Sequence, residues 1–172
     1  MTHPFFTIGH STRSIEEFAA MLAASDVKLV VDVRTVPRSR TNPQFNRDVL
    51  PASLAERRIG YRHMASLGGL RGAQRDVPPA SFHNYADYAM GDEFRAALEE
   101  LRELGRPGPA AIMCAETLWW RCHRRIVADY LIAAGETVLH ILSAERTEPA
   151  QLTRGARVGP DGVLTYPAAE AR

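Results

Sequence analysis

Apolar residues recur along the chain in two alternating spacings. Short runs rich in Val, Ile and Phe predict strands, whereas apolar residues three and four positions apart predict helices. The predicted strands cover residues 5–10, 28–34, 59–64, 109–116 and 137–142. The predicted helices begin at Ser14, within residues 44–58, near Phe94 and after Cys122. A small hairpin over residues 157–166 and a loose tail complete the pattern.

Strands that alternate with helices predict an α/β fold, in which a mainly parallel sheet lies between two layers of helices. The length of 172 residues predicts a single three-layer domain over residues 1–172. A chain of this size can bury roughly 70% of its unfolded surface without disulfides or metals. The hairpin and tail, residues 145–172, are expected to follow the alternating core.

Three local signals refine this prediction. Ser14 and Glu17 form a capping box, which is typical of the first turn of a helix. Pro51 restricts where the second helix can begin, because proline lacks an N–H and fits only the first turn. Residues 66–82 form a long stretch rich in glycine and proline, and loops of that length are usually lids or binding loops.

Polar and titratable residues follow the predicted strands at the point where each strand ends. In parallel sheets, ligands bind beyond the carboxyl ends of the strands, and the upstream positions here are Val, Ile, Leu and Ala. The polar residues at this edge are His10, Ser11, Asp32, Arg34, His63, Cys114, Glu116 and His140. The sequence therefore predicts a functional site at this edge of the sheet.

The segment MCAETLWWRCHRR (113–125) has the highest concentration of reactive and charged side chains. It holds both cysteines of the chain, eight residues apart, and four basic side chains within residues 121–125. Basic groups at the start of a helix are unfavourable, because the helix N-terminus carries partial positive charge. We expect a negative group to compensate, either Glu116, Asp32 or an anionic ligand. The same setting favours a thiolate at Cys122.

Composition excludes some classes of protein. The net charge of +1 argues against a dedicated nucleic-acid-binding protein, although a local basic patch is compatible with it. No apolar run approaches the ~20 residues of a membrane span, and the N-terminus lacks the features of a signal peptide. Two cysteines in such a chain suggest reduced thiols. We therefore expect a cytoplasmic protein that does not bind membranes.

Several short motifs carry a resemblance to a known family. They are TIGHS (7–11), VDVR (31–34), PRSR (37–40), NPQFN (42–46), SLGG (66–69), YADYA (85–89) and CAE-x5-CHR (114–124). In this order and spacing, the sequence resembles the bacterial family known as domain of unknown function 488. The resemblance implies a family core at about residues 6–142. It implies no activity, since the biochemical role of the family is not established.

The preferred hypothesis is a thiol-dependent enzyme, of transferase or hydrolase type, that acts on a small molecule bearing phosphate or carboxylate, such as a nucleotide. The candidate catalytic residues are Cys122, Cys114, Glu116, His123 and Asp32. The candidate substrate-binding residues are His10, Ser11, Arg34, Arg38, Arg40, Gly68, Gly69, Arg71, Arg121 and Arg124. The expected partner is a small anionic ligand, and no cofactor is expected.

Two other functions stay open. Cys114, Cys122 and His123 would be ligands of zinc or iron in a metal protein, although their spacing is unlike that of zinc fingers. Arginine-rich stretches would join Trp119 and Trp120 in a nucleic-acid-binding or regulatory module. Nothing in the sequence indicates an oligomeric state.

Some candidate residues also have a structural interpretation. Cys114 fits a small buried residue at the end of a strand. Asp32 and Arg34 share one face of a strand, so they form either a buried ion pair or a catalytic base beside an anion-binding arginine.

Overall fold

The computed structural model describes residues 3–68, 85–86 and 88–166 of the chain. The strands are β1 (Phe5–Gly9), β2 (Leu29–Asp32), β3 (Gly60–His63), β4 (Ala110–Cys114), β5 (Val138–Ser143), β6 (Arg146–Pro149), β7 (Arg157–Val158) and β8 (Leu164–Thr165). The α-helices are α1 (Ile15–Ala24), α2 (Leu50–Ala55), α3 (Asp92–Leu104) and α4 (Arg124–Ala133). Short 3₁₀ helices cover Pro43–Phe45, Ala65–Leu67 and Trp119–Arg121.

Six strands form one sheet in the order β3-β2-β4-β1-β5-β6. Strands β1 to β5 run parallel to their neighbours, and β6 pairs antiparallel with β5. Strands β7 and β8 form a separate antiparallel hairpin. The predicted α/β fold with a mainly parallel sheet and a C-terminal hairpin is confirmed.

The sequence analysis did not predict β6. Its residues, Arg146–Pro149, are mostly exposed and polar, so they give no apolar signal. The strand forms because a tight turn after β5 folds the chain back onto the open edge of the sheet. Edge strands of this kind are specified by the neighbouring strand more than by their own residues.

The two faces of the sheet bury different helices. On one face, α1 and α2 pack Phe18, Leu22 and Leu54 against alternate strand residues. On the other face, α3 and α4 pack residues such as Phe94 and Ile126 against the intervening ones. Since side chains of a strand alternate between faces, both layers form from the same apolar strands, as the continuous apolar runs predict.

The connections between strands change from one face of the sheet to the other beside the end of β4. The connections that follow β1 and β2 lie on the face covered by α1 and α2, whereas the connections that follow β3 and β4 lie on the opposite face. Strands β1 and β4 are neighbours, with Gly9 opposite Cys114. Directly after these strands, the His10 and Ser11 N–H groups still donate to the Cys114 and Ala115 carbonyl oxygens, and the following helices pack on opposite faces of the sheet. Ligands of α/β proteins bind where the connections change face in this way.

The second helix lies within residues 44–58, as predicted, and covers Leu50–Ala55 of that range. A 3₁₀ helix at Pro43–Phe45 precedes α2, and Pro51 lies in the first turn of α2, where proline is tolerated. Among the described residues, no helix combines the length and the apolar content needed to cross a bilayer.

Hydrogen bonds attach the C-terminal segment to α4. The carboxylate of Asp129 accepts from the backbone N–H of Thr153 at 2.9 Å and from the hydroxyl of Tyr166 at 3.0 Å. The hydroxyl of Tyr130 accepts from the backbone N–H of Leu164 at 3.1 Å. Because Asp129 is buried, these bonds satisfy a polar group that would otherwise destabilise the fold.

Helix α1 begins with the predicted cap, since the Ser14 hydroxyl accepts from the Glu17 N–H at 3.0 Å. Ser14→Ala should lower the free energy of unfolding by about 1 kcal/mol and the melting temperature by about 3 °C. Urea unfolding measures the first quantity and calorimetry the second. Ser14→Asp, which keeps a capping oxygen, is the control. Equal losses in both variants would contradict the assigned cap.

Candidate functional site

The two cysteines meet at the carboxyl end of β4. Cys114 ends the strand, residues 115–118 form an exposed loop, and Cys122 lies just before α4. The two Sγ atoms are 2.9 Å apart. Gly9 makes room for this loop, because a Cβ at that position would lie 1.9 Å from the carbonyl oxygen of Glu116. A residue with a side chain at position 9 would displace the loop that brings the cysteines together.

The guanidinium of Arg124 lies behind the cysteines and is almost fully buried, with 1% of its surface exposed. Its Nη1 donates to Cys114 Sγ at 2.7 Å and to the Glu116 carbonyl oxygen at 2.5 Å. Its Nη2 donates to the Thr117 carbonyl oxygen at 3.1 Å. No carboxylate of the described residues is within ion-pair distance of Arg124. The cysteine pair is therefore the group able to supply its counter-charge.

The two thiols have opposite pKa shifts. Burial raises the pKa of Cys122, but the hydrogen bond from Cys114 and the charge of Arg124 together outweigh burial and lower it. Burial and the hydrogen bond to Cys122 raise the pKa of Cys114 well above its ordinary value. Cys122 therefore ionises first and Cys114 keeps its proton. The sequence analysis expected a thiolate at Cys122, and the direction of its pKa agrees.

His123 lies beside Cys122 as the N-cap residue of α4. Its Nδ1 is 3.4 Å from Cys122 Sγ, and its Nε2 is 3.2 Å from the carbonyl oxygen of Val33. A carbonyl oxygen only accepts, so Nε2 carries a proton and Nδ1 faces the sulfur. This is the arrangement of a nucleophile, a proton acceptor and an orienting group that activates thiols in cysteine-dependent enzymes.

A second group of candidate residues surrounds the end of β2. Arg34 and Asp32 form a bidentate ion pair, with distances of 2.8 Å from Nε to Oδ1 and 2.7 Å from Nη2 to Oδ2. Arg34 also donates to the Phe45 carbonyl oxygen at 2.6 Å. The Tyr61 hydroxyl donates to the Asp32 carboxylate. These contacts favour the bracing ion pair over the alternative of a free base beside an anion-binding arginine.

His10 completes this second group as a neutral imidazole. Its Nδ1 donates to the Ser11 carbonyl oxygen at 2.8 Å, and its Nε2 accepts from Arg34 Nη1 at 3.3 Å. The ring stacks on Phe45, with centroids 4.4 Å apart. Burial, together with the charge of Arg34, lowers the pKa of His10 to about 4. A proton on Nε2 would face the Arg34 guanidinium, so the contact requires the neutral form.

Backbone contacts join the two groups. The N–H of His10 donates to the Cys114 carbonyl oxygen at 2.9 Å, and Val33, the acceptor for His123, lies between Asp32 and Arg34. The structure thus brings seven predicted residues into one region. They are His10, Asp32, Arg34, Cys114, Cys122, His123 and Arg124.

The other candidate residues lie further out or form other contacts. The Glu116 carboxylate is exposed and accepts from the Leu118 N–H at 3.0 Å, so its main link to the cysteines is through its carbonyl group. Ser11 is partly exposed and has a φ of 52°, a strained value for a residue with a side chain. Arg38 and Arg40 are exposed in the segment after β2. Arg38 and Arg47 line an open cleft of about 480 Å³.

Part of the predicted substrate loop is not described. Gly68 is buried, and a Cβ there would lie 2.2 Å from Thr35 Oγ1, so this glycine allows a close packing contact. Gly69 and Arg71 lie outside the described residues. The backbone of Arg121 belongs to a 3₁₀ helix, but its side chain is also outside the described part.

The sequence analysis missed several residues of this region. Tyr61 and Phe45 complete the surroundings of Asp32 and Arg34, and no chemical motif marks either of them. His140 was placed at the edge of the sheet but not in the site. It is buried, stacks on Trp119 with centroids 4.2 Å apart, and bonds Thr7 Oγ1 through Nδ1 at 2.6 Å. Burial and the charge of Arg124 lower its pKa to about 4.

The geometry bears on the two other functions considered from the sequence. Within residues 3–68, 85–86 and 88–166, no group of three His, Cys, Asp or Glu side chains is arranged to hold a metal ion. Trp120 is 49% exposed, whereas Trp119 packs on His140. Of the two tryptophans, Trp120 is therefore the one open to stacking on a base.

A family model for domain of unknown function DUF488 matches residues 14–131. The chain belongs to the DUF488 family. The match covers about two thirds of the 172 residues and includes both cysteines and the Asp32–Arg34 pair. No curated protein and no solved structure matched the chain. The family assignment therefore carries no activity with it, and the function of this DUF488 protein has to be argued from its site.

The Asp32–Arg34 pair allows a test of its bracing role. Asp32→Asn leaves the Arg34 charge buried without its counter-ion and should lower the free energy of unfolding by about 3–5 kcal/mol. Asp26→Asn is the matched control, because Asp26 pairs with Lys28 with 78% of its side chain exposed and should cost at most about 1 kcal/mol. Denaturant unfolding measures both. A stable Asp32→Asn protein that has lost only activity would instead assign a catalytic base.

The neutral buried histidines predict how stability depends on pH. Because His10 and His140 have pKa values of about 4 in the folded chain, below the ordinary 6.5, the unfolded chain binds their protons first as the pH falls. The stability that each histidine contributes is fully present above pH 6.5 and is lost as the pH falls from 6.5 through about 4. The total loss is about 3 kcal/mol for each histidine. Urea unfolding from pH 7 to 4 measures this decline.

His140→Gln is the comparison for that measurement, since it removes one of the two titrating groups. We expect a shallower decline in the variant. If the variant and the natural sequence lose stability in parallel over this range, His140 is not neutral in the folded protein.

Proposed function

We propose that this DUF488 protein is a thiol-dependent enzyme that acts on a small anionic molecule, with Cys122 as the nucleophile. One observation carries the proposal. Cys122 Sγ lies 2.9 Å from Cys114 Sγ, 3.4 Å from His123 Nδ1 and 3.5 Å from the backbone nitrogen of Arg124. Each of these neighbours stabilises a thiolate or exchanges a proton with it.

The neighbours divide the work of a group transfer. The Cys122 thiolate attacks the electrophilic atom of the substrate, and the bond from that atom to its leaving group breaks. His123 Nδ1, which faces the sulfur without a proton of its own, takes the proton of the Cys122 thiol and passes it to the leaving group. Cys114 and Arg124 hold the charge of the thiolate beforehand. Water or a second substrate then releases the group from the sulfur.

Electrostatics supports an anionic substrate. The first turn of α4 contains basic residues and no acidic residue, so no side chain there would repel an anion. Arg34 and Arg124 direct their guanidinium groups to internal acceptors, so in our proposal they position the site. We assign the anionic group of the substrate to Arg38 and Arg40, which are exposed on the segment after β2. A cytoplasmic location would keep both thiols reduced, as this chemistry requires.

The proposal predicts how fast Cys122 reacts with charged and neutral alkylating agents. Iodoacetate is anionic and iodoacetamide is neutral, and both form the same type of thioether. Relative to a free thiol such as N-acetylcysteine, the ratio of the iodoacetate rate to the iodoacetamide rate should rise about tenfold at Cys122, because fixed positive charge concentrates an anion. Inorganic phosphate should suppress this excess. Mass spectrometry of the Cys114→Ser protein follows Cys122 alone.

Arginine variants locate the anion site. Replacing Arg38 and Arg40 by Ala should return the ratio toward that of the free thiol. Arg106→Ala is the control. Arg106 lies between α3 and the amino-terminal end of β4, whereas Cys114 is at the carboxyl end of that strand, and Arg106 pairs with Glu103. A ratio equal to that of N-acetylcysteine in the natural sequence, with no effect of phosphate, would refute an anionic substrate at Cys122.

A further inference from the structure

We propose that Cys114 and Cys122 form a redox-active dithiol, which a hydroperoxide converts reversibly into a disulfide. The inference rests on the proposed function in one respect, because both use the Cys122 thiolate. It adds a second activity at the same sulfur, the reduction of a hydroperoxide. It also adds a means of regulation, because Cys122 has no thiolate to attack the substrate while it is part of a disulfide.

The geometry of the two thiols is suited to this reaction. Their sulfurs are 2.9 Å apart, and a disulfide bond is about 2.05 Å long, so closure needs a movement of about 0.85 Å. Cys114 is fixed at the end of a central strand that has neighbours on both sides. Cys122 lies at the junction between a 3₁₀ helix and α4, where the chain changes direction. Most of the movement therefore falls on Cys122.

Exposure sets the order in which the two thiols react. Cys114 is 3% exposed, whereas Cys122 is partly exposed. A small oxidant therefore reaches Cys122 more readily than Cys114, and Cys122 is also the thiol whose pKa is lowered. Cys114 is protected from the oxidant but lies within reach of Cys122. This division into an attacking and a resolving thiol is the arrangement found in redox-sensing cysteine pairs.

The reaction balances in two steps. The Cys122 thiolate attacks one oxygen of the hydroperoxide, the O–O bond breaks, and the departing alkoxide takes a proton and leaves as an alcohol. Cys122 is then a sulfenic acid. Cys114 loses its proton and attacks the sulfur of Cys122, the S–O bond breaks, and hydroxide leaves and becomes water. In total, the two thiols lose two electrons to form the disulfide, and one hydroperoxide gains them and becomes an alcohol and water.

Arg124 makes the disulfide easy to reverse. In the reduced protein its guanidinium donates to Cys114 Sγ at 2.7 Å, and its backbone N–H lies 3.5 Å from Cys122 Sγ. A neutral disulfide would leave this buried cation without a counter-charge among the described residues. Since interactions that stabilise the reduced form make a disulfide more oxidising, this one should be reduced readily by thiols.

The test uses the full chain, first reduced and then treated with hydrogen peroxide. We expect the number of free thiols to fall from two to none, with a loss of about 2 Da in mass and full recovery with dithiothreitol. Both tryptophans of the chain, Trp119 and Trp120, lie between the two cysteines. Their fluorescence should change as the disulfide closes and return as it is reduced.

Matched variants assign the two thiols. Cys114→Ser should gain one oxygen on Cys122, which dimedone traps as a sulfenic acid, because no resolving thiol remains. Cys122→Ser should keep its Cys114 thiol under the same treatment. The natural sequence should give little dimedone adduct.

Two results would overturn the inference. One is further oxidation of Cys122 in the natural sequence while Cys114 stays a free thiol. The other is a peroxide rate at Cys122 no faster than that of N-acetylcysteine. Neither result depends on the alkylation ratio that tests the anionic substrate. If the disulfide forms but Cys122 shows no preference for iodoacetate, the redox-active dithiol is supported and the anionic substrate is rejected.

Discussion

The buried guanidinium of Arg124 is the constraint around which the site is built. A cation removed from water needs compensation, and here no carboxylate of the described residues provides it. Two backbone carbonyl groups and the sulfur of Cys114 accept its hydrogen bonds instead. The loop after β4 must therefore turn its carbonyl oxygens inward, and the cysteine pair must carry negative charge. The pKa of Cys122 is lowered in this arrangement, because the hydrogen bond from Cys114 and the charge of Arg124 outweigh the effect of burial.

The fold explains why this arrangement occurs at the end of β4. The helices that follow β1 and β4 pack on opposite faces of the sheet, and residues 115–117 of the loop after β4 are exposed. Gly9 allows that loop to approach β1 closely. Helix α4 then returns with Arg124 in its first turn, and the guanidinium reaches back beneath the loop. The site therefore depends on a strand order that the spacing of apolar residues does not specify.

This dependence separates what the sequence could predict from what it could not. The apolar runs of β1, β2, β4 and β5 are continuous, so the parallel sheet was predicted, whereas the polar residues of β6 carried no such signal. The sequence analysis assigned both cysteines to the predicted site because reactive residue types are concentrated in residues 113–125. The sequence analysis looked to Glu116 or Asp32 for the compensating charge. Those carboxylates bind Leu118 and Arg34. The acceptors of Arg124 are the sulfur of Cys114 and two backbone carbonyl oxygens, and sequence patterns do not mark backbone groups.

In our proposal, the two buried arginines differ in role, since Arg34 supports the structure and Arg124 supports the chemistry of the cysteines. Arg34 is paired with the buried carboxylate of Asp32, and its further hydrogen bonds link β2 to the 3₁₀ helix at Pro43–Phe45 and to His10. Arg124 faces the cysteine pair, whose negative charge is carried by Cys122 and disappears on protonation, alkylation or oxidation. Every such change leaves the guanidinium uncompensated, so the energy of the buried cation varies with the chemical state of the cysteines. A stable counter-ion would have made this end of the sheet rigid and inert, whereas a thiolate counter-ion couples the packing of α4 to reactions at Cys122.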